Sequence, residues 1–297
     1  MHSVLAALTE HLFLRKFNVV TLVNGQFQDS LPVSDRGLQY GDGVWETILI
    51  SSGKLILLDE HLKRLQWGCH SLKIISLDES ALHQEIQLIS KDVNYSILKI
   101  IITRGSGGRG YSAQGLHSPT RILSLHKPPE TIDYYRNSGI NIQYCTTQLS
   151  HNPQLSGFKT LNCLEQVLAR SELGDDYQEG LVSDIDGNII EGTMSNLFLI
   201  VGEQVITPLL TQCGIQGIMR AYIMSLLANE NIELIERNIS KQDINNADKI
   251  FFTNSVIGLW FVTKINGIEI SADKEHHDDK IINTLQYNIS KLEGNHQ

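Results

Sequence analysis

Along the first part of the chain, apolar residues come in short runs that end at turn-forming pairs. "NVVTLVNGQFQ" breaks at Asn24-Gly25 and "VWETILISSGKLILL" breaks at Ser52-Gly53, so residues 18–57 read as a β-meander. In "DEHLKRLQWGCHSLKI" (59–74) the spacing turns helical, with His61, Leu62, Leu65 and Cys69 roughly on one side. A second helix is expected around 78–92. "SILKIIITRG" and "TRILSLH" read as two apolar strands separated by a glycine-rich loop.

"KPPETIDYYRNSG" (127–139), with Pro128-Pro129 and mixed charges, is the best linker candidate. Beyond it come a strand at 141–148 and the segment "SGFKTLNCLEQVLAR" (156–170). There Leu161, Leu164, Val167 and Leu168 recur at helical spacing, with Lys159 at the mouth of the helix. Short strands follow over 180–208, with turns at Asp186-Gly187 and Val201-Gly202. A helix at 217–229 precedes strands at 232–239, 249–253 and 259–270 and a C-terminal helix. Strands and helices mix without strict βαβ alternation, which predicts an α+β chain of two domains joined near 127–137.

The composition narrows the function. A net charge of −9 over 297 residues argues against nucleic acid as a partner. Cys69, Cys145, Cys163 and Cys213 are scattered without a CxxC pair, which predicts reduced thiols in a cytoplasmic protein and no metal site. No stretch has the length of a transmembrane helix, so no membrane partner is expected. "MHSVLAALTEHLFLRKF" (1–17) lacks a basic segment ahead of its apolar part, and Glu10 and His11 interrupt it. It reads as an N-terminal extension rather than a signal peptide.

Three features carry chemistry. An ammonium at a helix N-terminus is disfavoured by the macrodipole, which suits a lysine whose pKa must be low for Schiff-base chemistry, although a solvated surface lysine fits the same spacing. Glu191, in "NIIEGTMSNLFLI", is a carboxylate in an apolar strand, costly unless paired. "CGIQGIMRAY" places Gly214 and Gly217 ahead of a helix, where backbone N–H groups can face a phosphate, and Arg64 can add charge. Singly, each has an ordinary alternative: an edge-strand charge, a helix cap, a solvated arginine. "RGSGGRGYS" (104–112) contains a formal G-x-G-x-x-G, but "YSAQGLHSPTRILSL" follows it instead of a helix. A hairpin loop is therefore expected rather than a dinucleotide site, with Arg104, Arg109 and Tyr111 able to close over an anionic substrate or simply forming a flexible tip.

Taken together and in order, "VSDRGLQYGDGVWET", "HLKRL", "FKTLNCLEQVLAR", "EGTMSNLFLI", "GIQGIMR" and "FFTNSVIGLWFV" resemble the fold-type IV pyridoxal-phosphate enzymes. That family includes branched-chain and D-amino acid aminotransferases and 4-amino-4-deoxychorismate lyase. The resemblance runs from about Val20 to Val262. It implies a smaller N-terminal α/β domain (18–130), a larger C-terminal pseudo-barrel domain (131–297), pyridoxal 5′-phosphate between them, and a homodimer. It further implies that Lys159 is the Schiff-base lysine, that Glu191 partners the pyridine nitrogen, and that Arg64 binds phosphate. The backbone at Ile218 and Met219, with Asn254 and Ser255, would complete the phosphate site. Where Met219 stands, aminotransferases often have a threonine.

Within the family, "RGSGGRGYS" looks like the substrate loop of the lyase. Thr47, in "GVWETILI", falls where the lyase resemblance puts a hydroxyl, although threonine is also an ordinary strand residue. The expected reaction eliminates pyruvate from aminodeoxychorismate to give 4-aminobenzoate, a step of folate synthesis. Lys159 would remove the C4 proton, Thr47 would deliver or relay one to the leaving enolpyruvyl group, and Arg109 and Tyr111 would bind carboxylates. The alternatives are a D-amino acid or branched-chain aminotransferase, and a pyridoxal-phosphate carrier without turnover.

Overall fold

Two β-sheets, formed one after the other along the chain, organise the molecule. The computed structural model describes residues 20–270 and 280–294, so the extension expected at 1–17 lies outside the described residues.

The first part of the chain runs β1 (Val20–Val23), β2 (Gln26–Phe27), α1 (Arg36–Tyr40), β3 (Gly43–Ser51) and β4 (Lys54–Leu55). It continues through α2 (Leu58–Ser71), α3 (Glu79–Ser90), β5 (Ser96–Thr103) and β6 (Thr120–His126). Both expected hairpin turns form, with Asn24 and Gly25 at φ 49° and 79° and Ser52 and Gly53 at φ 50° and 73°. These left-handed values are what two-residue hairpin loops require. The strands do not, however, form a meander. Their order is β2-β1-β6-β5-β3-β4, so the two hairpins occupy opposite edges and the β5–β6 pair fills the space between. Residues 28–42, carrying α1, span from one edge to the other.

Period-two alternation along β3 sorts its side chains. Val44, Ile48 and Ile50 face the core with Leu62 and Leu65 of α2 and Leu82, Ile86 and Ile89 of α3. Trp45 and Thr47 alternate with these and so lie on the sheet's other face.

The second part comprises α4 (Ile132–Ser138), β7 (Ile140–Leu149), α5 (Leu164–Ser171), β8 (Glu179–Asp184), β9 (Ile189–Gly192), β10 (Asn196–Val201) and β11 (Gln204–Pro208). It ends with α6 (Ile218–Asn229), β12 (Leu234–Arg237), α7 (Lys241–Asn246), β13 (Lys249–Asn254), β14 (Gly258–Ile265), β15 (Ile268–Glu269) and α8 (Lys280–Leu292). Strands β10, β13, β14, β7, β8 and β9 pair in succession, and β9 meets β10 again at Glu191 opposite Asn196. This ring is the pseudo-barrel, with β11 and β12 extending from it. Along β10, Leu197 and Leu199 join one apolar cluster with Ile142, Leu181 and Phe252. Phe198 and Ile200 alternate onto the cluster formed with α6 and α8, where Phe198 stacks on Phe251 at 4.9 Å.

The stretch expected to be a linker contains α4, and it is anchored. Arg136 donates from both terminal nitrogens to Glu293, beyond α8, at 2.7 Å each, and from Nε to the Ile257 carbonyl at 2.8 Å. Glu293 is almost fully buried. Arg136→Ala should therefore leave a buried carboxylate unpaired and destabilise the fold by up to about 3 kcal/mol, more than Glu293→Gln does. Denaturant titration of both variants measures the difference.

Candidate active site

Lys159 does not open a helix. Helix α5 starts at Leu164, and residues 157–161 are extended between the two sheets. On one side Trp45 donates from its backbone N–H to the Lys159 carbonyl (3.0 Å) and from its indole N–H to the Thr160 carbonyl (2.9 Å), while Leu161 N–H donates to Gly43 (3.0 Å). On the other side Gly157 N–H donates to the Gly214 carbonyl (2.9 Å), and Gln216 N–H donates to the Gly157 carbonyl (2.8 Å). Gly157 sits at φ +96°, and a Cβ there would come within 2.6 Å of the Trp67 ring, so no other residue fits without a shift. The apolar stripe that suggested a buried helix faces outward: Leu164 is 77% exposed, and Val167 and Leu168 are also exposed. Its spacing is helical, but the stripe is not covered by any of the described residues.

The macrodipole therefore plays no part at Lys159. Its Nζ lies 4.1 Å from the centroid of the Trp45 ring. Burial pushes its pKa below the ordinary lysine value, and the nearby Arg64 guanidinium adds to this. Glu46 and Glu191 pull the other way.

Glu191 is buried, as its apolar strand implied, and its Oε2 accepts the Ile215 N–H at 2.9 Å. Burial pushes its pKa up to about 7, against the opposing pull of the Ile215 N–H, Lys159 and Gln166. This carboxyl can therefore take up or give up a proton near neutrality.

Arg64 donates from Nε and Nη2 to both oxygens of Glu46 (2.7 and 2.6 Å) and from Nη1 to the Gln216 carbonyl (2.8 Å). Two of its five N–H donors remain for an anion. His61 Nδ1 donates to Glu46 at 2.6 Å. Despite burial, the Arg64 guanidinium and the His61 hydrogen bond hold the Glu46 carboxyl below its ordinary value.

Helix α6 begins at Gly217 with no side-chain cap, leaving the Ile218 and Met219 end open to a phosphate. The Met219 side chain is buried in the core, so this residue offers only its backbone. Asn254 Oδ1 accepts the Val256 and Ile257 N–H groups (2.8 and 2.9 Å), and its Nδ2 donates to the Met194 carbonyl (3.1 Å). Asn254 thus shapes the turn that presents Ser255. A cavity of about 320 Å³ lies beside the lysine segment, bounded by Phe158, Thr160, Leu164, Gln166 and Ile215. Its size falls at the small end of ligand pockets, about 300–1,000 Å³.

Thr47 is half-buried on the face that also carries Trp45. The loop joining β5 and β6 is a hairpin connection without a helix. Arg104 is engaged by Asp42 and by the Leu72 and Lys73 carbonyls, so it is not available to a substrate. Arg109 and Tyr111 are exposed, Tyr111 to 89%, and no hydrogen bond, ion pair or ring contact joins either to Lys159 among the described residues. The loop backbone is held by Arg36, which donates to the Gly110, Tyr111 and Ser112 carbonyls.

Sequence reasoning missed Trp45, Glu46 and Lys99. The Lys99 Nζ also lies against the Trp45 ring, at 4.8 Å, opposite Thr47 in the β3–β5 register. The one available signal was Glu46, a charge on the apolar face of a strand.

Because the folded Glu191 carboxyl keeps its proton to higher pH than the unfolded one, its stabilising contribution is complete below pH 4.5. It is lost as pH rises to about 7. Cofactor-free protein should lose stability over that window, and Glu191→Gln should flatten this part of the profile. Chemical denaturation at a series of pH values tests the difference.

The sequence pattern of the family described as amino-transferase class IV matches residues 43–265. The chain is 32% identical over 271 residues to an aminodeoxychorismate lyase of Vibrio harveyi, covering 90% of this chain and 98% of that protein. It is 26% identical over 259 residues to a D-alanine aminotransferase of Bacillus licheniformis, covering 84% and 90%. The crystal structure of 4-amino-4-deoxychorismate lyase from Pseudomonas aeruginosa superposes with a TM-score of 0.85 at 36% identity, covering 92% of this chain and 98% of that one.

Proposed function

The chain belongs to the class IV aminotransferase family, and within it we propose an aminodeoxychorismate lyase that uses pyridoxal 5′-phosphate to release pyruvate and 4-aminobenzoate. The similarity to two such lyases over nearly their whole lengths carries the reading. The site residues suit that cofactor. Lys159 is the amine that would hold it. Arg64, the first turn of α6 at Ile218 and Met219, and the Asn254–Ser255 turn would hold its phosphate. Glu191 would partner its ring nitrogen. When bound, the cofactor supplies a carbonyl for an amine and a protonated ring that takes up negative charge.

This chain's own residues then have distinct tasks. Lys159, with its ammonium form disfavoured by burial and by Arg64, takes the proton from C4 of the substrate. As the C3–O bond breaks and the ring becomes aromatic, Thr47 relays that proton from Lys159 to the methylene carbon of the departing enolpyruvyl group, which leaves as pyruvate, so that both residues regain their starting protonation. Glu46 keeps the Arg64 fork oriented, and Trp45 shields the lysine amine from water. Arg109 and Tyr111 bind carboxylates. Their exposure in one chain supports a role in the cleft of a second copy, and the outward stripe of Leu164, Val167 and Leu168 supports a homodimer. The domain boundary falls at 130/131 in this proposal. The four free cysteines fit a reducing compartment, the cytoplasm. Among the described residues, no helix is long and apolar enough to cross a membrane.

Two experiments test the reading. The purified protein should carry a visible absorbance band that borohydride bleaches, leaving a pyridoxyl group on the Lys159 peptide. A label on another lysine removes Lys159 from its role, and Lys159→Ala should lose activity by orders of magnitude.

Thr47→Val should slow pyruvate release by roughly 10²–10⁴-fold, as expected for loss of a positioned proton donor, while transamination of D-alanine is much less affected. Equal loss in both reactions would make Thr47 a packing residue. Turnover of D-alanine with no 4-aminobenzoate from aminodeoxychorismate would replace the lyase with an aminotransferase.

A further inference from the structure

Three ligating side chains converge at a place that the lysine chemistry does not use. His151 follows β7, Asp184 ends β8, and Cys213 lies in the loop before α6. Their ligand atoms all fall within 4.8 Å of one another. Asp184 and Cys213 are buried, while the His151 side chain keeps 23% of its surface in solvent, so an ion can enter past the imidazole. His151 Nε2 donates to Asp184 Oδ2 at 3.1 Å. Asp184 Oδ1 accepts the backbone N–H groups of Asp186 and Asn188 at 3.0 and 2.8 Å, which locks the carboxylate in orientation as outer-shell partners do at metal centres.

Asn188 also donates from Nδ2 to Asp184 Oδ2 at 3.0 Å; these bonds and the His151 contact account for a well-made turn, but not for a buried thiol brought up to it. Thiol, imidazole and carboxylate together form the donor set of zinc-class ions. Tetrahedral zinc, with bonds of about 2.0 Å to nitrogen or oxygen and about 2.3 Å to sulfur, spaces its ligands by about 3.5 Å. Side-chain shifts of about 1 Å close the present cluster to that geometry. We propose that His151, Asp184 and Cys213 form a binding site for a thiophilic divalent cation of the zinc class, with water in the fourth position.

The Cys213 thiol is pushed up to about 12 by burial, with Asp184, Glu191 and Glu165 adding to it, so it carries its proton at neutral pH. An incoming cation displaces that proton as the metal–sulfur bond forms. His151 ligates through Nε2, which must give up the hydrogen it now donates to Asp184. Cys213 immediately precedes Gly214–Gln216, the segment that bonds to Gly157, Glu191 and Arg64, so a bound ion tethers the root of that segment.

Titration of the cofactor-loaded protein with cobalt(II) alone, followed by zinc(II), tests the site. One cobalt per chain is expected, with the intense visible absorption of a tetrahedral cobalt thiolate at wavelengths beyond the cofactor band, and zinc should displace it. Cys213→Ser should abolish the thiolate absorption and weaken zinc binding by roughly 100-fold or more, beyond the loss typical of an outer-shell partner. His151→Ala, at a part-exposed position, should also weaken binding, and it carries the test alone if Cys213→Ser does not fold. Absence of metal uptake by the unmodified protein, or unchanged uptake and absorption in the folded variants, overturns the proposal. The borohydride labelling of Lys159 is independent of either outcome.

Discussion

Everything at the lysine site depends on one extended segment, residues 157–161, being hydrogen-bonded on both sides. β3 of the small sheet holds one edge through Gly43 and Trp45, and the Gly214–Gln216 segment of the barrel side holds the other through Gly157. A backbone pinned from two domains fixes the direction in which the Lys159 side chain leaves it, and the buried amine lies against the Trp45 ring. Phe158, next in the chain, buries itself in the small-domain core and packs edge-on against Trp67 at 5.1 Å. The same residues that anchor the lysine therefore also weld the domains together. Gly157 is the necessary weak point: it alone tolerates the positive φ and the approach of Trp67.

The electrostatics follow from an uneven distribution of partners. Glu46 has the Arg64 guanidinium and a His61 hydrogen bond, which hold its carboxyl below the ordinary value in spite of its burial. Glu191 has one backbone donor in its immediate shell, and desolvation wins, so its carboxyl rises toward neutrality. Two buried carboxylates a short way apart thus take opposite characters, one a fixed counter-ion and the other a group that can share a proton. Lys159 lies in the field of both and of Arg64. Because desolvation and Arg64 outweigh the carboxylates, the amine tends toward its uncharged, reactive form.

Much of this was legible in the sequence where local rules decide. Asn24-Gly25 and Ser52-Gly53 dictated left-handed turns, the helix over Leu58–Ser71 followed its spacing, and a carboxylate in an apolar strand marked Glu191. Strand order was not legible, because pairing β1 with β6 rather than β3 is settled by long-range burial and not by turn chemistry. The Lys159 helix was misread for a related reason. Leu164, Val167 and Leu168 have the period of a core-facing helix, but periodicity says only that a face is apolar, not which molecule covers it. Trp45 and Lys99 gave no signal, since an aromatic and a lysine in a strand are unremarkable until the register sets them side by side.

The closing seam of the barrel explains why Glu191 and the first turn of α6 occur together. Glu191 and Asn196 face each other across the β9–β10 pair, the contact that completes the six-strand ring. Asn196 donates from Nδ2 to the Ile215 carbonyl at 2.7 Å, while the N–H of the same Ile215 donates to Glu191. A Cβ on Gly217 would meet Asn196 Oδ1 at 2.0 Å, so the start of α6 is pressed against that amide. The two peptide groups flanking Ile215 are thus gripped from both members of the seam, and the helix that follows inherits their position. The separation of Glu191 from the first turn of α6 is set by direct bonds from the Glu191 and Asn196 side chains to the Ile215 backbone. A site built this way can hold a rigid ligand at both ends without depending on flexible contacts.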